Sequence, residues 1–416
     1  MKGPIARGTI RTSFVLGLRL FVQAGTLLIV ARMLGPDRFG AFAGVAALAL
    51  ILGTLATFGT HLTLLGEVAK APNRRLDVLE YAVPTTLACA TLLFLAYLTL
   101  VMLGLPGADM ALPVIAAIGI AEMLLQPLLT LVVHEHLGLG RIARSQLLQI
   151  LPLALRLIAA ATVWLAHPED PLKMYAWGYL VASLIALAVA RLTMPGPGPR
   201  PSSWRFMRWA EVREAAGYAA LNVTRIGPTE LDKTLALRLL PMTSTGVYAA
   251  ATRVMGAIIL PITAMTLSSL PRLFREGRDQ PQRTSRLLRW MFGATTLYIT
   301  GSTAILWLCA PLFNRIFGDA YHGLDIMLRW LCIALPGMGI RLTAGNILMA
   351  LGKPWMRAGF EVVGLLVMLI ASITLTVHLG TPGMLIALVC SEWSMALVGV
   401  GLIIRVQSTR SSLSRE

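Results

Sequence analysis

Charge is what this sequence has least of. Only 13% of its 416 residues are Asp, Glu, Lys or Arg, while 56% are hydrophobic and the mean hydropathy is +0.73. An ordinary soluble domain carries about 25% charged residues. The composition excludes a water-soluble globular chain and defines an integral membrane protein. Acids are scarcer still: 20 against 36 basic residues, a net charge of +16. In a membrane chain that excess does not imply nucleic acid, and no nucleic-acid partner is expected; where the charges sit decides their meaning. The four cysteines, Cys89, Cys309, Cys332 and Cys390, lie in apolar runs without a CxxC spacing. They read as small buried apolar residues, which excludes a disulfide scaffold or a zinc site. His134-Glu135-His136 does not make a metal centre either, because a helix points the two imidazoles apart. No Walker A motif is present, so ATP hydrolysis by this chain is excluded. Neither a nucleophile motif nor a large outer loop appears, and no cofactor is implied.

What the sequence does have is long apolar runs. A span needs about 20 largely apolar residues. Twelve such runs follow at 12–33, 39–66, 79–104, 111–133, 143–166, 172–193, 214–240, 244–271, 286–310, 326–350, 356–379 and 382–404. Gly and Pro mark the breaks, as at Gly35-Pro36, Gly352-Lys353-Pro354 and Gly380-Thr381-Pro382. Lys2, Arg7 and Arg11 precede the first run like a signal peptide. Arg19 interrupts that run and no A-x-A pattern follows, so an uncleaved first span is expected. With the N-terminus inside, 24 basic residues fall on the cytoplasmic side, six outside and six within spans. That asymmetry places both termini in the cytoplasm.

The connection 194–213, PGPGPRPSSWRFMRWAEVR from its second residue, separates two sets of six spans. The expected organisation is an N-terminal bundle over 1–193, a linker over 194–213, a C-terminal bundle over 214–404 and a cytoplasmic tail over 405–416. The linker begins as a Pro/Gly stretch that forms no helix. Trp204, Arg205, Phe206, Arg208 and Trp209 then suit either a short interfacial helix on an anionic leaflet or an ordinary basic loop. The two halves echo each other. Arg32-Met-Leu followed by Gly40-Ala-Phe42-Ala43 returns as Arg238-Leu-Leu followed by Gly246-Val-Tyr248-Ala249, at an offset of 206 residues that Arg19 and Arg225 share. Leu139-Gly140-Arg141 matches Leu351-Gly352-Lys353. Six spans per half insert both halves the same way up, so the repeat predicts a pseudo-two-fold along the membrane normal with a cleft between bundles.

Span 7 carries the densest charge: Arg225, Glu230, Asp232 and Lys233 at bilayer depth. A charge there costs at least about 2.5–3.5 kcal/mol, so such groups face a partner or a wet cavity. Asn222, Arg225, Thr229, Asp232 and Lys233 share an arc of roughly 100°. A Glu230–Lys233 pair at i,i+3 and an Arg225–Asp232 pair are the plain structural alternative. Arg19 with Gln23 and Thr26 occupies the equivalent face of span 1, where Arg19 could also snorkel to the interface. Arg156, Arg253 and Arg341 add buried charge in spans 5, 8 and 10. A planar guanidinium suits bidentate contact with phosphate or carboxylate, so the cavity is read as a site for an anionic headgroup. The acids Glu122, Glu230, Asp232, Glu361 and Glu392 neutralise some of these bases; one left over would carry a coupling proton or sodium ion.

Ala31-Arg-Met-Leu-Gly-Pro-Asp-Arg-Phe-Gly40 after span 1, Asp232-Lys233 in span 7 and Gly246-Val-Tyr248-Ala-Ala-Ala251-Thr-Arg253 resemble bacterial polysaccharide flippases. These are the Wzx-type O-antigen transporters of the multidrug/oligosaccharidyl-lipid/polysaccharide exporter superfamily. The basic stretch Pro271 to Arg289 fits as well. The resemblance implies a MATE-like, two-bundle, all-α fold in the bacterial inner membrane. It also implies a non-enzymatic flippase that moves an undecaprenyl-pyrophosphate-linked glycan between leaflets, among membrane lipids and alongside polysaccharide-assembly proteins. The cavity arginines would hold the pyrophosphate. A cation-coupled drug antiporter of the same fold and a membrane polymerase or ligase are the competing readings. An antiporter asks for a cavity dominated by acids, and an enzyme for a catalytic outer loop.

Overall fold

The computed structural model describes residues 4–103, 110–279, 281–351 and 353–413, with side chains for all of these except 4–16, 221, 223, 225, 228, 264, 267–285, 287, 350, 354 and 407–413. The described chain is all-helical. α1 (Pro4–Ala56), α2 (Thr60–Lys70), α3 (Arg75–Met102), α4 (Leu112–Gly119), α5 (Gln126–Gly138), α6 (Ile142–Ala166) and α7 (Pro171–Leu192) come first. They are followed by α8 (Trp209–Leu239), α9 (Met242–Asp279), α10 (Pro281–Phe317), α11 (Leu324–Leu331), α12 (Ala334–Ala350), α13 (Pro354–Leu379) and α14 (Thr381–Leu413). A π-helical turn, Ile120–Leu125, joins α4 to α5. The chain forms two compact units, Met1–Ile226 and Gly227–Glu416, that meet in sequence inside α8.

Among the described residues nine helices are long and apolar enough to cross a membrane, ten if α11 and α12, bent by 47°, count as one span. The expected twelve differ from this count at two places, each with a physical cause. α1 runs through Gly35, whose φ of 67° is open to glycine without a Cβ penalty, so two expected spans merge across one kink. α8 is 31 residues long, but its charges make it less apolar than a lipid-facing helix.

α7 shows how composition directs packing here. Gly178, Ala182, Ala186 and Ala190 recur every four residues; the three alanines are buried, and Gly178 sits against Ala159 of α6. Trp177, Val181, Leu184, Ile185, Val189 and Leu192 are exposed on the opposite side. Lipid is as apolar as leucine, so bulk is no reason to turn inward. Small residues gain by close helix approach instead. Asp170 caps α7 by accepting from the Lys173 backbone N–H, with Pro171 at its first position.

In the first unit the second expected span is broken between α1 and α2, where Phe58 and Gly59 have φ of 47° and 77°. A Cβ on Gly59 would lie 2.2 Å from the Ala215 carbonyl oxygen, so only glycine lets α8 cross this break. In the second unit the break between α11 and α12 is held by Trp393 of α14, whose indole N–H donates to the Ile333 carbonyl at 2.9 Å. Non-helical backbone at membrane depth is tolerated only where such partners exist.

The linker is bound to the first unit. Arg75, at the start of α3, donates to the carbonyls of Pro197 (2.9 Å) and Gly196 (3.2 Å) and pairs with buried Glu135. Farther on, the Arg205 backbone N–H donates to the Glu80 carbonyl at 3.1 Å. Residues 204–208 form no regular secondary structure, and the helix begins only at Trp209. All four cysteines are free. Cys332 is buried as expected, Cys89 is half-buried, and Cys309 and Cys390 are exposed on the outer faces of α10 and α14, where a small apolar residue is equally at home.

Candidate functional site

The first unit holds one closed cluster of membrane-depth charge. The π-turn carries Glu122, which meets Arg156 of α6 at 2.9 Å. Tyr179 of α7 donates its hydroxyl to the same carboxylate oxygen. Arg156 also donates to Ser183 at 3.0 Å, and its guanidinium lies 3.7 Å from the centroid of the Tyr179 ring. Phe42 and Tyr175 wall the cluster with edge-on ring contacts. Glu122, Arg156, Tyr179 and Ser183 are all buried. The extra residue of a π-turn shifts the side-chain register, a distortion frequent at functional positions.

A second polar group in this unit surrounds the broken span. Asn222 of α8 donates to His61 Nε2 at 3.0 Å. His61 Nδ1 then carries the ring proton and donates to Thr57 at 2.8 Å. The His134 ring stands edge-on to His61 with centroids 4.7 Å apart. Arg19 is half-buried, and its Nε is buried without a partner among the described residues; Gln23 is exposed.

The second unit holds more charge. Lys233 of α8 lies 3.3 Å from Glu230 and 3.4 Å from Asp232, and also donates to the Thr229 carbonyl. Fully buried Tyr248 of α9 donates to the other Asp232 oxygen at 3.0 Å. Arg341 of α12 pairs with Glu392 of α14 at 2.7 Å. Arg357 of α13 pairs with Glu361 at 3.0 Å and donates to Asn346, which donates on to Thr266. Among the described residues no group of three or more His, Cys, Asp and Glu is arranged to hold a metal.

The structure therefore brings the expected residues together as pairs within each unit. Arg156, Arg341 and Lys233 are engaged by carboxylates, and each of Glu122, Glu230, Asp232, Glu361 and Glu392 has a basic partner. The Glu230–Lys233 pair is the i,i+3 contact that the sequence allowed. Arg253 is exposed and, among the described residues, has no carboxylate at ion-pair distance. The Arg225 side chain, its pairing with Asp232 and the Pro228 ring lie outside the described residues, as do most basic side chains of Pro271 to Arg289. Sequence reasoning missed the part that Tyr179, Tyr248, Ser183, His61 and Asn346 play in these clusters, and did not pair Arg357 with Glu361. The signal available was a tyrosine or serine at the depth of a buried acid, which hydropathy alone does not register.

Two units of long apolar helices, each with internal ion pairs, define a polytopic membrane protein. Solved structures support the fold. The chain is similar to a multidrug resistance MATE family transporter of the MOP superfamily in its inward-facing conformation, with TM-score 0.77 at 15% identity over 94% of this chain and 96% of that one. The outward-facing conformation of such a transporter gives 0.70 at 14% identity over 99% and 98%. A MOP superfamily transporter from Pyrococcus furiosus, described by a "reverse polarity of binding pocket" that "suggests different function", gives 0.68 at 13% over 98% and 96%. No curated protein sequence matches. Residues 5–276 match the polysaccharide biosynthesis protein family, and the chain belongs to that family.

Proposed function

We propose that this protein is a flippase that carries a polyprenyl-pyrophosphate-linked glycan across the bacterial cytoplasmic membrane for surface polysaccharide assembly. Both termini lie in the cytoplasm, and the rocking of two bundles exposes the cargo site to each side in turn. One observation supports the reading beyond family membership. Every described acid at bilayer depth is matched by a base, and Arg19 and Arg253 have no carboxylate partner among the described residues. A surplus of guanidinium favours an anionic cargo such as a pyrophosphate. Pocket polarity differs among proteins of this fold, as the Pyrococcus furiosus transporter illustrates, so charge rather than fold selects the cargo. Asp232 is the coupling candidate: it and Glu230 share one ammonium, so a proton or sodium ion on Asp232 balances the group.

Deletion of the gene followed by lipid analysis tests this. Lipid-linked glycan is expected to accumulate on the inner leaflet. Arg19→Gln with Arg253→Gln should reproduce the accumulation while the protein still inserts. Normal surface glycan in the deletion strain, or resistance to cationic drugs conferred by expression, would sink the proposal in favour of a cation antiporter.

A further inference from the structure

The linker is neither a free loop nor a helix. Arg205 holds it by three separate contacts. Its guanidinium grips Glu211 bidentately at 2.8 and 2.7 Å, it stacks 4.6 Å from the centroid of the Tyr81 ring, and its backbone N–H is bonded to the Glu80 carbonyl. Glu211 also accepts from the Arg208 backbone N–H at 2.7 Å. The one acid of the stretch is thus consumed internally. The clasp fixes the segment beside Glu80 and Tyr81 in the first turns of α3. An aromatic-rich segment at the end of a membrane-spanning helix suits the level of the lipid headgroups.

From this fixed segment Phe206 stands 97% exposed, Trp209 81% and Trp204 40%. Arg200, Arg208 and Arg213 are exposed beside them. In water such an array of aromatics would be a liability; at a bilayer interface aromatic rings are stable and arginines meet phosphate. We infer that residues 200–213 are a preformed docking edge for anionic phospholipid. Phe206 and Trp209 enter the glycerol and upper acyl region while Arg200, Arg208 and Arg213 hold the phosphates. Charge complementarity selects anionic over zwitterionic headgroups. Trp204, Phe206 and Arg208 are exposed while Arg205 and Met207 between them are partly covered, and Trp209 and Arg213 continue the exposed array on the first turns of α8.

The full chain in phosphatidylcholine vesicles, with and without phosphatidylglycerol, provides the test. A fluorophore on Phe206→Cys, with the four native cysteines replaced, is expected to be quenched by bromine placed high on the lipid chains and shielded from aqueous iodide. Arg205→Ala opens the clasp and should restore iodide access. Spin-labelled phosphatidylglycerol should bind preferentially over phosphatidylcholine. That preference should fall about fivefold or more in Arg200→Gln/Arg208→Gln/Arg213→Gln, whose changes touch exposed side chains only. A label at 206 reached by iodide and not by the brominated lipid overturns the inference. So does a triple variant that keeps the full preference for phosphatidylglycerol.

Discussion

The two units treat buried charge differently. In the first, each buried acid meets one arginine: Glu135 meets Arg75, and Glu122 meets Arg156 in a cluster closed off by Tyr179 and Ser183. In the second, two acids on α8 compete for one lysine, and two further pairs, Arg341–Glu392 and Arg357–Glu361, lie on α12, α13 and α14. A balanced buried pair contributes little net stability, but removing one partner strands a charge. An unbalanced group is relieved when one acid becomes neutral. The first unit's described pairs are thus balanced one to one, whereas the α8 group of the second has two acids for one lysine, as the proposed coupling requires.

The comparison breaks most visibly if Arg156 is removed. Arg156→Met leaves Glu122 alone and is expected to cost about 3–5 kcal/mol, read as a lowered unfolding temperature in detergent. Adding Glu122→Leu should return most of the loss. A single variant as stable as the native protein would mean that the pair does not lock the first unit. Tyr248→Phe comes next, at about 1.5–3 kcal/mol if Asp232 is ionised, because a hydrogen bond to a charged acceptor is lost. A much smaller loss would indicate a protonated Asp232.

Neutralising one acid in each unit sharpens the contrast. Glu122→Gln strands the Arg156 cation and should destabilise. Asp232→Asn leaves Lys233 with Glu230 and keeps the acceptor for Tyr248, so stability should stay within about 1 kcal/mol while glycan export fails. Equal destabilisation by the two variants would remove the distinction.

The smallest effect concerns the clasp outside the membrane. The Arg205 guanidinium, followed by the Arg208 N–H, holds the Glu211 carboxyl below its ordinary value. A lowered folded value contributes stability that is complete above the unfolded value of about 4.3 and lost as pH falls through the folded one. For a partly exposed pair this amounts to about 0–1 kcal/mol. A spin label at position 206 should be immobile at neutral pH and mobilise only below about pH 4. Mobilisation near pH 6 would assign the restraint to another group.

Some of this was legible in the chain. Glu230 and Lys233 are three apart on one helix, so their contact follows from local geometry. Arg357 and Glu361 are four apart at the start of the expected span 356–379, so their contact also follows from local geometry. Arg341 and Glu392 are 51 residues apart and Arg75 and Glu135 are 60 apart; neither pairing has a local signature. Arg75 illustrates the limit, since it counts as a surface charge in the topology and is buried under the linker in the structure.

By itself the sequence determined the all-helical membrane class, the positions of most helices and the list of charges placed at bilayer depth. Those follow from the cost of bare backbone and bare charge in hydrocarbon, which is the same wherever a residue sits along the chain. Only the tertiary structure decided which charge neutralises which among the described residues, and that the linker is strapped to α3. Partner choice depends on distances of a few ångströms between helices far apart in sequence, and close approach of small residues, rather than any periodicity of the chain, sets those distances.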